Sequence, residues 1–168
     1  LKYYRSLPSE IYEIIKLTKN GHPMDILRTC VSSLPSLDKV IKKDSQDQLI
    51  ENGIKLISQI PIIIAAHQRK RNDMEIVPPN RKLSHSANWL FMLNKEIPTK
   101  EAEKLTDLDF ILHAEHGSNA SSFAARVTIG TKAGIYDAFV TAISTLTGPA
   151  HGGAAEDVMK MINEIGEP

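Results

Sequence analysis

Apolar residues recur at three- and four-residue intervals almost throughout this chain, the spacing that lines one face of an α-helix. Leu7-Pro8-Ser9-Glu10 opens a first helix, since proline is tolerated in a first turn, and Ile11, Ile14, Ile15 and Leu17 form its apolar stripe. Asn20-Gly21 ends it, glycine being the residue that most readily takes a left-handed C-cap. Pro23 starts a second helix with Met24, Leu27, Val31 and Leu34, and Pro35 is expected to end it. A third and longer helix is predicted from about Ser45 to His67, with Leu49, Ile50, Ile54, Leu56, Ile57 and Ile60 on its apolar face. Pro61 should kink or break it, because the ring removes a donor and clashes with the preceding turn.

Gln68-Arg69-Lys70-Arg71 reads as a solvated helix end favoured by the helix dipole. Residues 72–80 are polar, contain Pro78-Pro79, and predict a loop. A short buried helix over Ser86–Leu93 follows. Thr99 is placed to cap a helix starting near Lys100, and Thr106–His116 reads as another, with Leu108, Ile111 and Leu112 on its apolar side. Ser121–Gly130, Ala133–Leu146 and Gly153–Ile165 complete the pattern, the last stopped by Gly166. No stretch alternates at period two long enough to argue a strand, and no internal repeat is visible. The fold class expected is all-α: residues 1–168 as a single multi-helical unit.

Composition narrows the function classes. Hydrophobic residues at 42% and charged residues at 24% are those of a soluble globular protein. Twenty basic residues balance twenty acidic ones, which argues against nucleic acid or an anionic membrane as partner. The most apolar run, Ile60 to Ala66, is too short to span a bilayer. Cys30 is the only cysteine, so no disulfide can form within the chain. A reducing compartment is expected: the cytoplasm, with the mitochondrial matrix left open. The chain starts at Leu1 without an initiator methionine and shows no signal peptide.

Candidate chemistry is concentrated between His113 and Gly153, in His113-Ala114-Glu115-His116, Asn119-Ala120-Ser121 and Gly148-Pro149-Ala150-His151-Gly152-Gly153. His113 and His116 are three apart and share a helix face. His113, preceded by Ile111 and Leu112, reads rather as a satisfied core histidine. His116, where the helix breaks at Gly117, is the better ligand for a small anion or a polarised carbonyl. His151 stands between two glycine-rich bends that let backbone approach closely. A neutral imidazole there can donate a hydrogen bond to a carbonyl whose α-proton is being removed; the plainer alternative is a loop histidine that pins a turn. Ser121 reads either as an N-cap or as the group that orients the His151 ring and fixes its tautomer. A zinc site from His113, His116 and His151 would need three well-oriented ligands and is the weaker reading. No dinucleotide fingerprint, phosphate loop, cysteine pair or nucleophile elbow is present, and Cys30 reads as buried filler.

Taken together, HAEH, NAS and GPAHGG resemble the citrate synthase family, which includes the 2-methylcitrate synthases. Ala124-Ala125-Arg126-Val127, the segment from Gly153 to Met161, and His22-Pro23-Met24-Asp25 with Leu27-Arg28-Thr29 extend the resemblance over nearly the whole chain. The resemblance implies an all-helical large domain, here incomplete, and a homodimer built through it. It implies an acyltransferase: an acyl-CoA, acetyl-CoA or propionyl-CoA, is enolised, attacks the ketone of oxaloacetate, and its thioester is then hydrolysed, with no further cofactor and no metal. Carried over by position, His116 matches the histidine on the oxaloacetate carbonyl. His151 matches the catalytic histidine on the thioester carbonyl, and Ser121 a residue supporting it. Asn119 and His113 are expected as supporting residues. The general-base aspartate, a second catalytic histidine and the substrate-binding arginines have no match here, so this chain alone is expected to be inactive. Where the family usually has an acidic residue after the second histidine, Gly117 stands. The rival reading is a non-catalytic helical dimerisation or interaction module.

Overall fold

A computed structural model describes residues 1–37, 45–115 and 117–166. Its elements are a 3-10 turn at Lys2–Tyr4 and eight helices: α1 (Ser9–Leu17), α2 (Pro23–Leu37), α3 (Gln46–Arg71), α4 (His85–Asn94), α5 (Lys100–His113), α6 (Ala120–Gly130), α7 (Ile135–Leu146) and α8 (Gly152–Ile165). No strand occurs among the described residues. Where the periodicity suggested one unit, internal contacts gather in two, Leu1–Gly117 and Ser118–Pro168. The division falls where α5 ends: Gly117 has φ +67, and no atom lies within 4 Å of where its Cβ would be. A side chain at that φ would be strained, so glycine suits this turn.

In the first unit α3 is the central helix, packed by α1, α2 and α4, with α5 against α4. Ile11 and Ile15 of α1, Cys30, Val31 and Leu34 of α2, Leu56, Ile62 and Ile63 of α3 and Met92 of α4 are fully enclosed. The buried part of α3 lies further along than its apolar positions suggested. Leu49, Ile50 and Ile57 are exposed, and Leu17 of α1 is as well. Ser58, Gln59 and His67 are buried on α3 instead, and each makes a hydrogen bond, to Leu1 O and Ile54 O, to Ser6 O and to Lys19 O respectively. By length and composition α3 could cross a bilayer; its packing among three helices makes it a core helix.

Pro35, expected to end α2, lies inside it, and Pro61, expected to kink or break α3, lies within an unbroken helix. Pro61 deprives the carbonyl of Ile57 of its usual donor, but Ile57 is on an exposed face where water can serve. Pro35 sits in the last turn of α2, where one lost bond costs least. Thr106 starts no new helix, since residues 100–113 contain no glycine or proline and run as one. Thr99 does cap α5, its Oγ1 accepting from Ala102 N at 3.2 Å.

The basic run ending α3 is not uniformly solvated. Arg69 is only 6% exposed, and its guanidinium donates to Leu93 O at 2.6 Å and to Glu75 O. Arg5, also buried, donates to Asn80 O at 2.9 Å and to Leu83 O and Ser84 O at 3.0 Å. Two arginines thus hold the polar loop of residues 72–84 by its backbone carbonyls. Across the α4–α5 seam Ser84 Oγ donates to Glu103 Oε1 at 2.6 Å and Ser86 Oγ donates to Asp107, while the Phe110 ring meets those of His85 and Trp89.

In the second unit α6 packs along α7. Tyr136, Ala138 and Ile143 of α7 are its buried positions, while α8 leaves Val158, Met159, Met161, Ile162 and Ile165 exposed.

Candidate functional site

The second unit brings three of the singled-out residues together. Asn119 is the N-cap of α6, its Oδ1 accepting from Ser122 N at 2.9 Å. That cap was open to Ser121 on sequence grounds; the structure assigns it to Asn119. Ser121 is left free to use its side chain elsewhere. Its Oγ lies 2.8 Å from Asn119 Oδ1, as donor, and 3.0 Å from Nε2 of His151.

His151 reaches that position through a tight turn and a close helix approach. Its N–H donates to Gly148 O at 2.9 Å, closing the Gly148–His151 turn after α7, and the residue forms the N-cap of α8. The next residue cannot carry a side chain: a Cβ on Gly152 would lie 2.1 Å from the carbonyl oxygen of Leu146. Gly152 is therefore what lets α8 start directly against the end of α7 with His151 turned to Ser121. A Cβ on Gly153 would meet nothing closer than 3.6 Å, so the two glycines of the motif are not equivalent.

The ring of His151 is partly exposed, with one nitrogen held by a hydroxyl and Nδ1 left for a second partner. A neutral imidazole can donate to a carbonyl oxygen as charge develops there only from a nitrogen that carries the proton, so that role for His151 requires Nδ1–H.

The first unit holds the other candidates. His113 is the last residue of α5 and does not lie in a core: its side chain is 79% exposed, with Nδ1 2.8 Å from Asp109 O and 3.3 Å from Asp109 Oδ1. The core-histidine reading fails because α5 turns its Leu105, Ile111 and Leu112 side to the surface as well. His116 lies outside the described residues. Gly117 N donates to Glu115 Oε1 at 2.6 Å, so Glu115 closes the turn after α5. Among the described residues no group of three or more His, Cys, Asp or Glu side chains is gathered as a metal site. Cys30 is enclosed, and burial pushes its thiol up to about 11, which makes it a poor nucleophile.

One local role went unread in the sequence. His22 Nδ1 accepts from Met24 N at 3.3 Å at the start of α2. The His-Pro order was the available sign, since proline at the first helical position leaves the following N–H for a preceding side chain.

Residues 1–168 match the family model for the citrate synthase C-terminal domain. The chain is 41% identical over 167 residues to a citrate synthase of Deinococcus radiodurans, covering 99% of this chain and 44% of that protein. It is 37% identical over 171 residues to 2-methylcitrate synthase 2 of Corynebacterium glutamicum, covering 98% of this chain and 45% of that protein. Among solved structures, citrate synthase from Pyrobaculum aerophilum superposes with a TM-score of 0.90 at 34% identity, over 99% of this chain and 44% of that one. The chain thus spans less than half the length of these relatives, and over that span its all-helical fold is theirs. This chain belongs to the citrate synthase family.

Proposed function

We propose that the protein carrying this chain condenses an acyl-CoA with oxaloacetate, giving citrate from acetyl-CoA or 2-methylcitrate from propionyl-CoA, with release of CoA. A base removes a proton from the carbon α to the thioester. The resulting enolate carbon forms a bond to the ketone carbon of oxaloacetate, and water then cleaves the thioester C–S bond. His151 is the catalytic residue of this chain, donating from Nδ1 to the thioester oxygen as enolate charge accumulates there. Ser121 positions its ring, and Asn119 supports Ser121. His116 binds the oxaloacetate carbonyl, an assignment that rests on its place in the HAEH motif. His113, the exposed last residue of α5, is a supporting residue only.

The observation that carries the reading is the 3.0 Å contact between His151 Nε2 and Ser121 Oγ. It joins two motif residues 30 positions apart in the arrangement an enolising histidine needs: one nitrogen fixed, the other available. The reading places the enolising base and further substrate ligands outside these 168 residues, so the isolated chain is expected to give no turnover. It also implies a homodimer and a cytoplasmic enzyme using acyl-CoA as substrate without another cofactor. Relatives of both names stand at similar identity. The two acyl groups differ by one methylene, a discrimination worth only about 1–3 kcal/mol.

The test is release of CoA from acetyl-CoA and from propionyl-CoA by the full-length protein with oxaloacetate present, for wild type and His151→Ala. The reading expects turnover with at least one of them and a loss of about 10²–10⁴-fold in the variant. Absence of CoA release from both, or a fully active His151→Ala, overturns it. A titration with oxaloacetate comparing wild type and His116→Ala tests the second histidine, and equal affinity removes its role.

A further inference from the structure

We propose that Asn119 sets which nitrogen of His151 carries the proton, by competing with that ring for the single hydroxyl hydrogen of Ser121. Its catalytic meaning rests on the condensation reading above; the effect on the ring does not.

The hydrogen-bond inventory forces the competition. Asn119 Oδ1 accepts from the backbone N–H of Ser122 at 2.9 Å, so the atom facing Ser121 is the amide oxygen and has no hydrogen to give. Its 2.8 Å contact with Ser121 Oγ therefore needs the hydroxyl hydrogen. The 3.0 Å contact between Ser121 Oγ and His151 Nε2 needs a hydrogen too, and a hydroxyl has only one.

Two arrangements follow. With the hydroxyl turned to Asn119, Oγ accepts from His151, and the neutral ring is protonated at Nε2 and bare at Nδ1. Every contact is then satisfied. With the hydroxyl turned to His151, the ring is protonated at Nδ1, and the two oxygens of Asn119 and Ser121 face each other without a hydrogen between them. Passing from the first to the second rotates one hydroxyl. One proton leaves Nε2 to water and one is taken up from water at Nδ1, so the ring's charge is unchanged.

The first arrangement is the resting one, because it leaves no acceptor pair unbridged. Only the second can donate from Nδ1 to a carbonyl. Asn119 is accordingly a positioning residue that holds His151 in the form unable to polarise a thioester. An acyl carbonyl placed at Nδ1 supplies the hydrogen bond that turns the hydroxyl over.

The experiment is ¹⁵N-detected NMR of the His151 ring in the full-length protein, without substrate, at a pH where the ring is neutral. The ratio of Nε2–H to Nδ1–H tautomers is read directly. Wild type and Asn119→Asp, which keeps the cap and a strong acceptor, are expected to be mainly Nε2–H. Asn119→Gly, which removes the acceptor with little loss of capping, is expected to shift the ratio toward Nδ1–H by about fivefold, the effect of one ordinary hydrogen bond. In a Ser121→Ala background the same Asn119→Gly change should no longer alter the ratio. A wild-type ratio in Asn119→Gly overturns the proposal, as does a shift that persists without Ser121. An inactive wild-type enzyme that still shows the tautomer shift would sink the condensation reading alone. An active one without the shift would sink only this proposal.

Discussion

The imidazole of His151 and the hydroxyl of Ser121 meet at 3.0 Å, from the N-cap of one helix to the first turn of another. Neither residue is deeply buried, so their meeting is not a by-product of core packing. Removing the hydroxyl should cost reaction rate more than substrate affinity. On the proposed condensation, Ser121→Ala in the full-length protein is expected to lower kcat by about 10–100-fold with KM for the acyl-CoA nearly unchanged, less than the loss in His151→Ala. Steady-state kinetics decide it; a rise in KM with kcat untouched would move Ser121 from positioning to binding.

Gly152 and Gly153 separate a packing requirement from a sequence motif. Gly152→Ala forces a Cβ to 2.1 Å from Leu146 O, so the start of α8 must move and take His151 with it. A destabilisation of about 1–3 kcal/mol is expected, together with loss of activity. Gly153→Ala meets only ordinary contacts at 3.6 Å and gains helix propensity, so its thermal midpoint should match or exceed wild type. Equal midpoints for the two variants would contradict this account.

Arg69 should behave unlike its neighbours in the basic run. Its buried guanidinium serves the carbonyls of Glu75 and Leu93, and hydrogen bonds to charged groups are worth about 1.5–3 kcal/mol each. Arg69→Ala is expected to destabilise the first unit by about 3 kcal/mol or more in urea unfolding. Arg71→Ala, at an exposed position, should stay within about 0.5 kcal/mol.

Two histidines give the first unit an acid-sensitive term. His67 is held below the usual imidazole range chiefly by burial, with Arg71 also lowering it and the Lys19 carbonyl opposing. His85 is lowered by burial first, then by Arg5, against Asp107. A ring harder to protonate folded than unfolded makes the unfolded chain bind more protons in acid, so stability falls as pH drops below about 6.5. His67→Gln, which keeps an N–H for the Lys19 carbonyl, should flatten that fall between neutral pH and mild acid. An unchanged pH slope would show that His67 is not its source.

The helices were legible because periodicity and end signals are local. Thr99 caps its helix as the Thr-Lys start suggests, and residues 72–80 are the loop their polarity and prolines indicate. Pro35 did not end α2 and Pro61 did not break α3, because a missing N–H matters only where the orphaned carbonyl has no other partner, and that depends on which side of the helix faces water. The α5 break expected at Thr106 failed because a threonine with helical neighbours and no breaker is simply a helical residue. The apolar side chains of α5 and α8 show the limit of the pattern: periodicity marks a face without saying what lies against it.

The sequence by itself determined the all-helical class, most helix ends and the short motifs that mark the family, since each depends on residues within a few positions of one another. Tertiary structure decided the rest. It placed His151 on Ser121, buried Arg69 while leaving His113 on the surface, and made Gly152 rather than Gly153 the indispensable glycine. Those outcomes depend on how one segment lies against another, which the spacing of residues within a segment does not encode.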